Sequence, residues 1–265
     1  MSSIDVPLKK LNQRGFGETE RPDLWWLNPL LVFLGLGAFL VYSTWAAFQG
    51  DFYRFGPYLS PMYSPVLFTT RPNWWPVWVP FSAALVILWA PGGFRVTCYY
   101  YRGAYYKAFW GDPVACAVGE PRKKYWGERK FPLLLQNIHR YFLYLALLFL
   151  VLLAHDAWNA LWWTHAMDAA VPVGQKMFEL RVGTLVMIIN PILLGGYTLG
   201  CHSLRHLVGG RKNEMGQPRK KVYDCVTCLN GRHMNWAWFS LFFVMFADIY
   251  VRLCAMGIWP DWRLF

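Results

Sequence analysis

The sequence predicts an all-α integral membrane protein, a bundle of five transmembrane helices with a cytoplasmic N-terminus and an outside C-terminus, and three observations carry that expectation. The chain is 56% hydrophobic and 19% aromatic but only 15% charged, far from the composition of a soluble globular domain. Apolar runs recur that reach the length of about 20 residues a helix needs to cross the hydrocarbon core. The Lys and Arg residues fall in blocks between those runs, so the net charge of +11 reads as cytoplasmic loops and implies no nucleic-acid partner.

In chain order, residues 1–23 form a polar cytoplasmic segment and 24–265 the transmembrane domain. The N-terminal segment carries acidic as well as basic residues, which argues against a cleaved signal peptide. The first apolar run covers 24–48. Behind it, "FGPYLSPMYSP" (55–65) has no charged side chain, and its X-Pro steps favour extended or turn geometry, as in a loop that caps the bundle. The second run, 77–98, is interrupted by Pro91-Gly92-Gly93 and closes on Cys98. The third, 131–155, has His139 in its first turns; the fourth, 182–206, contains Asn190-Pro191 and closes on "TLGCHSLRH"; the fifth, 235–255, contains Asp248 and Tyr250.

Orientation follows from the Lys and Arg residues of the short connections. Lys9, Lys10, Arg14 and Arg21 precede the first run, while the basic loops 99–130 and 207–234 hold Arg102, Lys107, Arg122, Lys123, Lys124, Arg129, Lys130, Arg211, Lys212, Arg219, Lys220, Lys221 and Arg232. The other side offers only Arg54, Arg71, Lys176, Arg181 and Arg263.

This topology gathers the soft and imidazole ligands at the cytoplasmic face. Cys98, His139, Cys201, His202, His206 and His233 sit at helix ends there, with Cys116, Cys225 and Cys228 in the basic loops. Buried cysteines often serve simply as small hydrophobes, but polar groups within membrane helices are costly and tend to mark sites. Three cofactors suit the set. A haem b held between two helices would take His139 with His206. A zinc ion on Cys225-Val-Thr-Cys228 and His233 lacks a fourth local ligand. A Rieske-type 2Fe-2S cluster needs two thiolates and two imidazoles. Cys98 and Cys116 would supply the first, with Cys201 as a competing thiolate, and two of His139, His202 and His206 the second.

The stretches "CYYYRGAYYKAFW", "YWGERKFPLLLQNIHRYF", "CHSLRHLVGGR" and "LNGRHMNWAW" resemble the five-helix membrane-anchor subunit of bacterial succinate dehydrogenase, respiratory complex II. The likeness runs from about residue 25 to the C-terminus and is strongest to the subgroup thought to carry a membrane-embedded Rieske-type cluster in place of haem. It implies a multi-pass subunit of the bacterial cytoplasmic membrane that anchors a flavoprotein and an iron–sulfur subunit, passes their electrons to a membrane quinone, and leaves room for a higher oligomer of the complex. The chain itself offers no flavin-binding G-x-G-x-x-G and is not catalytic towards succinate. Its expected metal ligands are Cys98, Cys116, His139, His202 and His206.

A quinone needs an apolar slot with a few polar groups to bind and protonate its oxygens. Arg140, Tyr141, Arg205, His233 and Trp236 supply these at the cytoplasmic helix ends, with Trp126 in the loop that would meet the iron–sulfur partner. Against this, interfacial Trp and Tyr commonly act only as membrane anchors. A transporter would show inverted repeats as well as broken helices, and no repeat relates the two halves. A cofactor-free anchor remains the plain alternative.

Overall fold

A computed structural model describes residues 15–111, 114–121, 130, 133–164, 176–210 and 216–265. It is mostly helical and divides into two compact units, Met1–Leu40 with Arg95–Ile138, and Val41–Phe94 with His139–Phe265.

Four helices among the described residues are long and apolar enough to cross a membrane: α1 (Leu27–Gln49), α5 (His139–Asn159, preceded by a 3-10 turn Leu133–Ile138), α6 (Val182–Leu199) and α9 (His233–Ala255). In α1, Leu31, Leu34 and Val41 are more than half exposed, a liability in water and ordinary against lipid.

The expected second span departs from this pattern. Residues 77–82 are not helical, and the remainder is two short helices, α2 (Ala83–Ile87) and α3 (Trp89–Val96). Pro91 has no N–H to return to Ile87 and its ring crowds that carbonyl, so the ladder is interrupted at Leu88. The expected fourth span also divides. It ends at Leu199, and a separate helix α7 (His202–Gly209) begins past Cys201. The divide is fixed from a distance: the Asn230 side-chain amide donates to the Gly200 carbonyl (2.8 Å). A Cβ at Gly200 would lie 2.7 Å from the Gly196 carbonyl oxygen and 3.1 Å from the Leu229 backbone, so a side chain there would force the backbone to shift.

Within the first unit, α4 (Tyr99–Tyr105) runs into a π-helical turn, Tyr106–Trp110. Phe109 packs on Phe33 (4.8 Å between centroids). Residues 17–19 pair with 117–119 through Gly17 N–H to Gly119 O (3.0 Å) and Gly119 N–H to Glu18 O (2.9 Å). Arg21 adds a bond to the Cys116 carbonyl (2.8 Å). Tyr101 is buried with its hydroxyl at the Arg95 guanidinium (2.6 Å), and burial pushes that phenol up to about 12.

In the second unit, α6 packs along α9 and α5, and α7 pairs with α8 (Gln217–Gly231). Where α5 finishes and α6 begins, the 51–65 loop folds down as a cap. Its hairpin, β1 (Arg54–Phe55) with β2 (Tyr58–Leu59), turns at Gly56, which has a positive φ. A Cβ there would lie 2.5 Å from the Trp163 ring, so the turn admits no side chain. Tyr58, Ser60, Met62, Tyr63 and Ser64 are buried, which bears out the capping reading. A second hairpin, β3 (Trp162–Thr164) with β4 (Lys176–Phe178), lies at the same end.

That end contains two buried carboxylates, Asp248 and Glu179, and a half-buried one, Asp261, all with partners. Asp248 accepts from the Tyr42 and Ser60 hydroxyls and pairs with Arg252 (3.4 Å), which also donates to the Asp51 carbonyl (2.8 Å). Asp261 accepts from Tyr58 (2.9 Å), Tyr250 (2.8 Å) and the Gly183 N–H (2.9 Å). Glu179 pairs with Arg181 (2.6 Å) and Arg263 (3.5 Å). Asp248 and Tyr250 thus fasten α9 to its neighbours, which satisfies groups that lipid could not.

Candidate functional site

The opposite end of the second unit, where α5 begins and α6 finishes, has a different chemistry. His139 is the first residue of α5 and is buried, and its Nε2 lies 3.2 Å from the Sγ of buried Cys201. Aromatic rings wall this pair. Phe94 stacks on the His139 imidazole (4.7 Å, 9° between planes) and meets Tyr197 edge-on (5.3 Å, 65°). Tyr197 in turn stacks on His233 (5.0 Å, 20°), the first residue of α9, which stands close enough for its charge to bear on His139.

Cys201 occupies the N-cap of α7 in an extended conformation (φ −65°, ψ 137°) with no side-chain cap bond. Cys98, in the first unit, is also buried and holds the same place at the N-cap of α4 (φ −65°, ψ 129°). The sequence shows both cysteines only as the ends of apolar runs; the short helices that follow them are what put them at N-caps.

The other expected ligands go elsewhere. Cys116 is exposed, as are Cys225 and Cys228 on α8. His202 and His206, one turn apart on α7, are exposed and bonded to each other (Nε2 to Nε2, 3.0 Å). The partial burial of His202, with His206 and Arg205 beside it, holds its imidazole below the usual histidine range. Among the described residues, no three His, Cys, Asp or Glu side chains gather as a set able to hold a metal ion.

The expected quinone residues also separate. Arg140 and Tyr141, in the first turn of α5, are exposed. Arg205 is engaged: its Nε donates to Thr227 (3.1 Å) and its guanidinium lies over the Tyr223 ring (5.2 Å), tying α7 to α8. Trp236 packs its indole directly over Gly196, where a Cβ would come within 2.5 Å, and its buried N–H has no partner among the described residues. Trp126 lies outside the described residues.

These elements make up a multi-pass helical membrane subunit that keeps a thiol and an imidazole face to face under an aromatic wall. Residues 27–257 match the family described as actinobacterial succinate dehydrogenase subunit SdhC, and the chain belongs to that family. Among solved structures it is similar to a chain of the Mycobacterium smegmatis Sdh1 complex in the apo form, at 40% identity and a TM-score of 0.80, covering 93% of this chain and 94% of that one. No curated protein matches it. The chain is therefore a succinate dehydrogenase membrane-anchor subunit.

His139 and Cys201 present one imidazole and one thiol, the two kinds of ligand a Rieske-type cluster takes, and no third such side chain joins them among the described residues.

Proposed function

We propose that the subunit, in the bacterial cytoplasmic membrane with its N-terminus inside, holds the flavoprotein and iron–sulfur subunits of succinate dehydrogenase and delivers their electrons to a membrane quinone through a Rieske-type 2Fe-2S cluster. The supporting observation is the buried contact between His139 and Cys201, together with the family to which the chain belongs.

His139 and Cys201 are the first ligand pair in this reading. His233, stacked on Tyr197, is the second imidazole. Of the two thiols that the sequence nominates, Cys98 is buried and Cys116 exposed. When bound, such a cluster supplies a one-electron relay whose potential is raised by the neutral imidazoles. Phe94 and Tyr197 keep water from the ligands.

Quinone reduction takes up two electrons and two protons, and the ring oxygens need a donor while charge accumulates. The Trp236 indole N–H is that donor, and Gly196 provides the flat floor that lets the indole lie against α6. Arg205 orients α8 against α7 and acts on the quinone only through that packing. The second crossing of a five-span topology is made by α2, α3 and the non-helical residues before them. The two short helices rise about 21 Å of the roughly 30 Å hydrocarbon core.

The test is iron content and the paramagnetic signal of the purified, intact complex. His139→Ala or Cys201→Ser should each remove the Rieske-like signal and two irons per complex, while the His202→Ala/His206→Ala double variant keeps both. Loss in the double variant with retention in the two single variants would instead assign the imidazoles to α7. Sharp reduced haem bands in the unaltered complex would replace the cluster with haem b.

A further inference from the structure

We propose that the middle of α6 binds an internal water molecule, held by the side-chain amide of Asn190 and the main-chain carbonyl of Met187. Asn190 is halfway along Val182–Leu199 and 1% exposed, and neither its Oδ1 nor its Nδ2 has a hydrogen-bond partner among the described residues. An amide left unbonded in an apolar interior forfeits the hydrogen bonds it would make in water. Lipid offers no relief.

The next residue adds a second unsatisfied group. Pro191 has no N–H, so the Met187 carbonyl loses the donor four residues on that an α-helix would give it. Side chains on a helix tilt back toward its N-terminus. The Asn190 amide therefore leans over the turn that carries this carbonyl, three residues before it and on the same face. Met187 is itself 1% exposed and packs against Tyr58, Ala160, Trp163 and Val251.

The groups define the ligand. The site presents two acceptors, Met187 O and Asn190 Oδ1, and one donor, Asn190 Nδ2. A quinone ring brings only acceptors and leaves both carbonyls unmet. An ion would need a countercharge, which neither the Asn190 amide nor the Met187 carbonyl supplies. Water donates twice and accepts, and buried waters typically make about three such bonds. The site is separate from His139, Cys201 and Trp236 and does not depend on their assignment.

Radiolytic hydroxyl-radical footprinting of the intact complex tests it, because radicals formed from a bound water oxidise the side chains beside it. Met187 should be oxidised several-fold faster than Met62, which is equally enclosed at 3% exposure but lies in a loop whose polar groups are paired. Asn190→Leu should bring Met187 down to the Met62 rate, and Asn190→Ser should preserve the faster rate. A Met187 rate no higher than that of Met62 in the unaltered complex would overturn the proposal, and that comparison requires no variant to fold.

Discussion

The two ends of the second unit are built from the same three long helices, yet they treat polar groups in opposite ways. Where α5 ends and α9 finishes, Asp248 and Glu179 are buried and Asp261 is half-buried, and each is closed by hydroxyls, a backbone N–H or arginines. Where α5 and α9 begin, the buried polar groups are a thiol, two imidazoles and an indole N–H among aromatic rings. The first arrangement locks helices together and leaves nothing to react. The second sets a thiol, imidazoles and an indole N–H among aromatic rings, and of these the Trp236 N–H has no partner among the described residues. Charge in a membrane helix is thus not by itself a sign of function.

Substitutions can break this contrast, and the largest effect belongs to the closed end. Asp248→Ala leaves the Arg252 guanidinium buried without its carboxylate, a loss of about 3–5 kcal/mol, and should lower the unfolding temperature of the purified subunit while sparing the iron content of whatever folds. A smaller effect is expected from Gly196→Ala, because the new methyl meets the Trp236 ring at 2.5 Å and overpacking costs about 1–3 kcal/mol. It should also raise the KM for quinone, which Asp248→Ala in its folded fraction should not.

Trp236→Phe retains the ring and removes only the N–H. Loss of one hydrogen bond of about 1 kcal/mol should raise the KM for quinone several-fold with little change in thermal stability, and an unchanged KM would remove Trp236 from the quinone site. The least effect belongs to α7. His202 is held below the ordinary histidine range by its partial burial and by His206 and Arg205, so acidification protonates the unfolded chain before it protonates His202 in the fold. The small stability tied to this imidazole is full above the ordinary histidine pKa and is lost as the pH falls through the lower folded value. Histidine NMR titration should show His202 moving up toward the ordinary range in His206→Ala.

Much of this is legible in the chain. The apolar runs of α1, α5, α6 and α9 announce themselves by length, since a continuous apolar stretch has few other uses. His139 and His233 stand out as imidazoles at the ends of such runs. Pro91 foretells the break in the second run, although nothing local marks the non-helical start at 77–82. Cys116, which sequence spacing offers as a thiolate, is exposed, whereas Cys201, its rival, faces His139. The division of the fourth run at Gly200 has no local signal, because the group that satisfies its carbonyl is Asn230, thirty residues on.

Hydropathy and ligand chemistry are properties of residues taken singly or in runs. The order of amino acids alone therefore dictates that the chain crosses a membrane, roughly where, and which residue types it has for redox chemistry. Which cysteine meets which histidine, that His202 and His206 pair with each other, and that Asp248 is bonded by Tyr42, Ser60 and Arg252 are matters of the packed helices. They depend on contacts between segments far apart in the chain, where a capped carbonyl or a glycine too crowded for a side chain sets where one helix stops and the next side chain points.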